Sequence, residues 1–123
     1  MPIAARSLVP MARVADVARS IRFYEALGFR LRNTFAPAEE KNPTWAWLES
    51  EGASLMVARA TQPIDGAAEG VLFYVYCDDV EAARAACLAA GIEAGPIASP
   101  FYAPRGEFRV TDPDGYILMI THT

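Results

Sequence analysis

The sequence predicts a single α+β domain built from two similar halves, each containing one helix and several strands. Its 123 residues are 53% hydrophobic and 21% charged, which is enough for one core and too little for two domains. Asp16 and Gly28 bound one amphipathic segment, Asp79 and Gly91 bound another, and the spacing is twelve residues in both. Equivalent residues lie 63 positions apart, about half the chain, which favours an internal repeat.

The first half is expected to form a strand, a helix and three more strands. Residues 7–14 are short and apolar enough for a strand, and residues 17–27 carry apolar side chains at helical spacing. Asp16 can accept from the free N–H groups of the first turn, and Gly28 suits the left-handed conformation that ends a helix. Further strands are predicted at 29–35, 44–48 and 53–58.

A two-residue turn is predicted to join the last two of these strands. Glu51-Gly52 is a sequence typical of a hairpin turn. Antiparallel pairing through it is expected to set Trp47 opposite Ser54 and Trp45 opposite Met56. The two Trp side chains would then share one face of the sheet.

The second half repeats the pattern. A strand is predicted at 71–77 and a helix at 80–90, and the strands that follow are predicted at 92–97, 108–111 and 116–121. The turn that joins the last two reads Asp-Pro-Asp-Gly, and its geometry accounts for both Asp112 and Asp114. Module one therefore covers about 7–60 and module two about 71–122, with a polar connector at 61–70.

Composition excludes several classes of function. One histidine and two cysteines make most catalytic transition-metal sites improbable. The net charge of -4 without a basic stripe argues against nucleic acid as a partner. No apolar run is long enough for a membrane span, and no signal peptide is apparent. Cys77 and Cys87 are expected to be free thiols of a cytoplasmic protein, and His122 is expected to be an exposed tail residue.

The repeat and two segments carry a resemblance to a known family. With RVADVARSIRFYEALGF near the start and VTDPDGYILMI near the end, the chain resembles the vicinal oxygen chelate superfamily. That superfamily includes glyoxalase I, bleomycin-resistance proteins, methylmalonyl-CoA epimerase and extradiol dioxygenases. The resemblance spans almost all of residues 1–123. It implies two βαβββ modules whose mixed sheets form a cup, helices on the outside, and a homodimer.

The resemblance also locates the positions where metal-dependent members carry His or Glu ligands. Here those positions hold Val9, Met56 (with Ser54 as an offset alternative), Leu72 and Met119. Thioether sulfur suits Cu(I) and not the hard or borderline metals of this chemistry. The chain therefore resembles the metal-free members, of which bleomycin-resistance proteins are an example, and no cofactor is expected.

Side chains in step with the lost ligand positions should face the cup, because orientation alternates along a strand. The candidate ligand-binding residues are Arg13, Trp45, Trp47, Met56, Tyr74, Tyr76, Phe101, Tyr102 and Met119. Core packing is the other explanation for the aromatic residues. Arg13 either contacts an anionic part of a ligand or forms an ion pair at the sheet edge. Phe101 and Tyr102, on the loop 100–106, need cover from a ligand or a partner subunit.

Three functions remain open. The first is a metal-free binding protein that sequesters a hydrophobic or aromatic small molecule, including antibiotics of the bleomycin type. The second is a glyoxalase-like lyase or isomerase, or a dioxygenase-type enzyme, with an unrecognised base such as Glu107 or Tyr74. The third is a module whose aromatic surface meets another protein. No catalytic residue is assigned.

Overall fold

The fold consists of two compact units of similar size. The computed structural model describes residues 2–123, and it divides into a first unit that ends at Ile64 and a second that begins at Asp65. The boundary falls inside the polar segment 61–70. That segment contains one short 3₁₀ helix, Gly66–Ala68, which the sequence did not predict.

The first unit is a mixed four-stranded sheet with one helix. Its elements are β1 (Met11–Val14), α1 (Val17–Ala26), β2 (Arg30–Phe35), β3 (Trp45–Ser50) and β4 (Ala53–Arg59). The strand order is β1-β4-β3-β2, with β1 parallel to β4 and the other pairs antiparallel. The helix packs against β2, β3 and β4.

The second unit repeats this arrangement with one strand fewer. Its elements are β5 (Leu72–Cys77), α2 (Val80–Ala89), β6 (Glu107–Thr111) and β7 (Ile117–His122). The strand order is β5-β7-β6, with β5 parallel to β7 and β6 antiparallel to it. The α+β class and the internal repeat predicted from the sequence are confirmed.

The two helices are equivalent residue by residue. Both span ten residues, and their bounds differ by 63 at each end. Asp16 accepts from the N–H of Arg19 at 3.1 Å, and Asp79 accepts from the N–H of Ala82 at 3.0 Å. These bonds satisfy one of the free donors in each first turn. The predicted caps are therefore confirmed.

The strand predicted at 92–97 is wrong. This segment makes only two isolated bridges to β6, Ala94 with Val110 and Ala98 with Glu107. Pro96 has no N–H to give to a ladder. The side chain of Arg84, on α2, donates to the carbonyl of Gly95 at 2.7 Å and takes the place of a strand partner.

The predicted hairpin pairing is wrong by two residues, although the predicted faces are right. Trp47 pairs with Met56 and Trp45 pairs with Ala58, because the turn Glu51-Gly52 directly joins Ser50 to Ala53. A shift of two preserves side-chain orientation. The first strand begins at Met11 and not at residue 7, so Val9 precedes β1.

Each sheet buries one face against its helix. In the first unit the fully buried side chains include Val14, Ala46, Leu48 and Val57. In the second unit they include Phe108, Val110, Leu118 and Ile120. The residues that alternate with these along each strand point to the opposite face of the sheet. The candidate site residues that belong to strands lie on that face. Across residues 2–123, neither helix has the length and hydrophobicity needed to cross a bilayer.

Candidate functional site

The face of the first sheet that lies opposite α1 carries four of the candidate residues. Met56 pairs with Met11 on β1 and with Trp47 on β3, so the three side chains form a row across the sheet. Met56, Trp45 and Trp47 are half-buried, and Arg13 is exposed. Incomplete burial of these large side chains favours a binding surface over a filled core within this unit.

The two tryptophans line an open cleft of about 340 Å³, which we call the tryptophan cleft. Its other lining residues are Arg32, Asn33 and Glu49. A guanidinium nitrogen of Arg32 donates to Glu49 at 2.7 Å, where β2 shifts register between Leu31 and Asn33. The cleft thus combines two indole rings with a surface ion pair.

The open face of the second sheet holds two tyrosines side by side. Tyr74 and Tyr76 are 44% and 60% exposed, and their ring centroids lie 6.3 Å apart. Tyr74 pairs with Met119 and Tyr76 pairs with Thr121. Glu107, on β6, pairs with Thr121 on its other side, so Tyr76, Thr121 and Glu107 form one row. Tyr74, Tyr76 and Met119 therefore lie on the sheet face opposite α2.

Glu107 is a buried carboxylate on this face. Its side chain is only 6% exposed, and Oε1 accepts from the hydroxyl of Tyr102 at 2.8 Å. Oε2 is enclosed and has no hydrogen-bond partner among residues 2–123. The bond to Glu107 raises the pKa of Tyr102, with further contributions from burial and from the carboxylate charge, and Tyr74 adds a smaller one. Tyr102 therefore remains a protonated donor at neutral pH.

The loop that carries Tyr102 is tied to the end of β7. The N–H of Arg105 donates to Nε2 of His122 at 3.1 Å, and the side chain of Arg105 donates to the carbonyl of Thr123. Thr121 donates its hydroxyl to the carbonyl of Gly106 at 3.2 Å. His122 is half-buried and fixes this loop, so its expected place as an exposed tail residue is wrong.

Two aromatic residues of the same loop are exposed, as expected. Phe101 is 95% exposed and Tyr102 is 59% exposed, and their rings meet edge to face at 5.3 Å. The hydroxyl of Tyr102 is anchored, whereas the ring of Phe101 projects into solvent. An exposed aromatic side chain of this size is suited to cover a ligand or to contact a second protein.

The residues at the family's metal positions do not fit a hard or borderline metal. Met56 and Met119 lie in equivalent places on β4 and β7, and their parallel neighbours are Met11 and Tyr74. These neighbours add a thioether and a phenol, not an imidazole or a carboxylate. Within residues 2–123, no three His, Cys, Asp or Glu side chains form a group that could hold a metal ion.

The two cysteines are free thiols without activation. Cys77 is half-buried and donates to the carbonyl of Thr121 at 3.3 Å, and Cys87 is buried in α2. Burial is the main cause that raises the pKa of both thiols, and the charges of Asp78 and Asp79 add to it at Cys77. A raised thiol pKa disfavours the nucleophilic thiolate.

Sequence reasoning located the two faces and named Arg13 and Glu107, but it did not name Arg32 or Glu49. Glu49 shares the alternation of Trp45 and Trp47 and could have been found from it. Arg32 joins the cleft through an irregularity in β2, which no residue pattern reveals. The bond from Tyr102 to Glu107 also has no signature in the sequence.

The comparisons with known proteins agree with this geometry. Residues 7–120 match the family model of the Glyoxalase/Bleomycin resistance protein/Dioxygenase superfamily. The chain is similar in structure to a bleomycin resistance determinant encoded on the transposon Tn5, with 20% identity, coverage of 97% and 98% of the two chains and a TM-score of 0.75. A search of curated protein sequences found no match.

Two further solved structures are proteins named for antibiotic binding. TnmS3, an antibiotic binding protein from Streptomyces sp. CB03234, is 20% identical, with 98% of each chain covered and a TM-score of 0.74. The bleomycin-binding protein of Streptomyces verticillus, complexed with copper(II)-bleomycin, is 18% identical, with 99% of each chain covered and a TM-score of 0.71. At these identities the likeness shows the fold alone.

Proposed function

Because this chain belongs to the glyoxalase, bleomycin resistance protein and dioxygenase superfamily, we propose that it is a metal-free binding protein for an aromatic or hydrophobic small molecule. One observation carries the proposal. The strand positions where metal-dependent relatives hold ligands carry Met56 and Met119, next to partly exposed Trp47 and Tyr74. Aromatic and thioether side chains bind a planar ligand by stacking and by sulfur contacts.

The protein is proposed to hold its ligand without transforming it. The enzymatic alternative needs an activated base or nucleophile. The thiol pKa values are raised, and Nε2 of His122 is engaged with the N–H of Arg105. These observations support sequestration, and antibiotics of the bleomycin type are the first compounds to test.

A homodimer in the cytoplasm is part of the same proposal. Ile3, Leu8 and Phe101 are 85%, 87% and 95% exposed, which a partner subunit would cover. Free Cys77 and Cys87 fit a reducing compartment. Sedimentation equilibrium tests the dimer directly: we expect twice the chain mass of 13.4 kDa. A single species of one chain mass at micromolar concentration would contradict it.

A thermal-shift screen tests the binding function. The panel contains metal-free bleomycin and neutral planar aromatics, with chelator present throughout. We expect at least one compound to raise the melting temperature in a concentration-dependent manner. The matched variants are W47A, on the open face, and L88A, at an exposed position of α2. We expect W47A or Y76A to reduce the rise in melting temperature that the compound causes, and L88A to leave that rise unchanged. A panel that stabilises nothing would contradict the proposal.

A further inference from the structure

A cluster of five residues on the open face of the second sheet has the composition of a cation site. We call Tyr74, Tyr76, Tyr102, Glu107 and Met119 the tyrosine–glutamate cluster. Three phenol rings and one carboxylate come together here, without a lysine or arginine among them. Faces of aromatic rings attract cations, and organic ammonium groups are commonly held by several such rings at once.

The carboxylate is the unusual member of this cluster. Oε2 of Glu107 is enclosed and has no hydrogen-bond partner among residues 2–123, and the residue as a whole is only 6% exposed. An unpartnered buried carboxylate oxygen carries an unfavourable desolvation cost. Neighbouring donors do not relieve it: the hydroxyl of Thr121 donates to the carbonyl of Gly106, and that of Tyr102 donates to Oε1. A ligand N–H group would satisfy this oxygen.

Arg109 is the cation nearest to Glu107 along β6, and it shares the open face because it pairs with Met119. Arg109 lies two residues beyond Glu107 on β6, and its exposed side chain lines a separate cleft with Glu93, Ala94, Gly95 and Thr111. The cleft contains no member of the tyrosine–glutamate cluster. Oε2 of Glu107, which has no hydrogen-bond partner among residues 2–123, is the acceptor that the cluster offers to a ligand.

We infer that the tyrosine–glutamate cluster binds an organic cation, namely a protonated amine carried on an aromatic or hydrophobic ligand. The ammonium group donates to Oε2 of Glu107, and the rings of Tyr74 and Tyr76 flank it. The ring of Tyr102 is 59% exposed, so it can shift to admit the group while its hydroxyl stays bonded to Oε1 of Glu107. This inference rests on the proposed binding function and adds the charge of its ligand.

Two probes of the same shape distinguish the contribution of the charge to binding from that of the aromatic ring. 1-Naphthalenemethylamine is a cation at neutral pH, and 1-naphthalenemethanol is neutral. Each is titrated into the full chain, and amide chemical shifts of β5, β6 and β7 give the dissociation constants. We expect the amine to bind about tenfold more tightly than the alcohol, as a charge-assisted hydrogen bond and cation–π contacts predict.

Single-residue variants show which side chains give the amine its tighter binding. E107Q keeps an acceptor for Tyr102 but removes the charge, so the amine should lose its advantage while the alcohol binds as before. Y76L should reduce the advantage without touching the carboxylate. E81Q removes one negative charge from the exposed surface of α2 and should leave the advantage intact. Circular dichroism of each variant confirms that it is folded, and Y76L supplies the test if E107Q is not.

The outcomes distinguish the two proposals. If the alcohol binds to these strands as tightly as the amine, the cation site is wrong and the aromatic binding function stands. If E107Q and Y76L both keep the advantage of the amine, the cation site is also wrong. If neither probe shifts any resonance of either unit, the cation site and the binding function both fail.

Discussion

The hydroxyl of Tyr102 donates a 2.8 Å hydrogen bond to one oxygen of Glu107, while the other oxygen has no partner within residues 2–123. The bond joins an exposed loop to a buried position of β6 and anchors the loop over the open face of the sheet. One oxygen of a buried carboxylate is thus satisfied by the protein, and the other is the acceptor that we propose for a ligand cation.

Removing the Tyr102 hydroxyl should destabilise the protein modestly. Y102F leaves Oε1 of buried Glu107 without its donor, and we expect a measurable loss in the free energy of unfolding. Urea denaturation measures it. The control is Y76F, which removes the hydroxyl of a 60% exposed tyrosine and should change stability by less than about 0.5 kcal/mol. Equal effects of the two variants would show that the bond contributes nothing.

The same bond predicts a high-pH transition. The hydrogen bond to Glu107, burial and the carboxylate charge raise the pKa of Tyr102. A raised pKa means that the protonated phenol is stabilised in the fold. This contribution is complete below the ordinary tyrosine pKa and is lost as the pH rises through the higher pKa of the folded state.

Ultraviolet titration of the phenolate absorbance checks this transition. Subtracting the curve of Y102F from that of the unaltered chain isolates one of the five tyrosines. Its midpoint should lie above that of free tyrosine. A midpoint at or below the value for free tyrosine would contradict the hydrogen bond to a carboxylate.

Gly66 should tolerate no side chain. A Cβ there would lie 2.4 Å from the backbone nitrogen of Tyr116, next to the bond from the N–H of Gly66 to the carbonyl of Asp114. We expect G66A to cost about 2 kcal/mol, because backbone must move. G95A is the matched control, since its Cβ would meet nothing closer than 3.6 Å. A G66A chain as stable as G95A would contradict the close approach.

The thiols should react slowly. Burial raises the pKa of Cys77 and of Cys87, and the aspartates beside Cys77 raise it further. We expect alkylation by iodoacetamide at pH 8 to be slower than that of free glutathione, and unfolding in urea should remove the difference. Mass spectrometry follows each cysteine. Labelling of Cys77 faster than glutathione would indicate an activated thiol and would favour an enzymatic function.

Periodicity explains what could be predicted from the sequence. Apolar residues that recur every 3.6 residues predict both helices, and apolar residues that alternate every second residue predict both sheet faces. The caps Asp16 and Asp79 follow from the ability of their side chains to accept from free N–H groups. The hairpin register follows from the two-residue turn Glu51-Gly52 as well, because the residues that flank such a turn pair with each other, here Ser50 with Ala53.

Contacts distant in sequence explain what could not be predicted. Arg84 donates to the carbonyls of Ala94 and Gly95, so the following segment fails to become a strand. Glu107 is in step with Met119 across β6 and β7, but its burial depends on a loop whose conformation no pattern fixes. The burial of Glu107 and its hydrogen bond to Tyr102 could therefore not be predicted from the sequence.

The most direct test of the central claim is a binding titration with and without metal. Metal-free bleomycin and 1-naphthalenemethanol are titrated into chelator-treated protein, and indole and amide resonances are followed. We expect saturable binding with shifts at Trp45 or Trp47 of the tryptophan cleft or at the strand that carries Tyr74. Because bleomycin itself chelates metals, the metal test uses 1-naphthalenemethanol, whose affinity should be unchanged after iron, zinc, nickel or manganese is added. Binding or turnover that requires one of these metals would contradict the account, as would the absence of any binding.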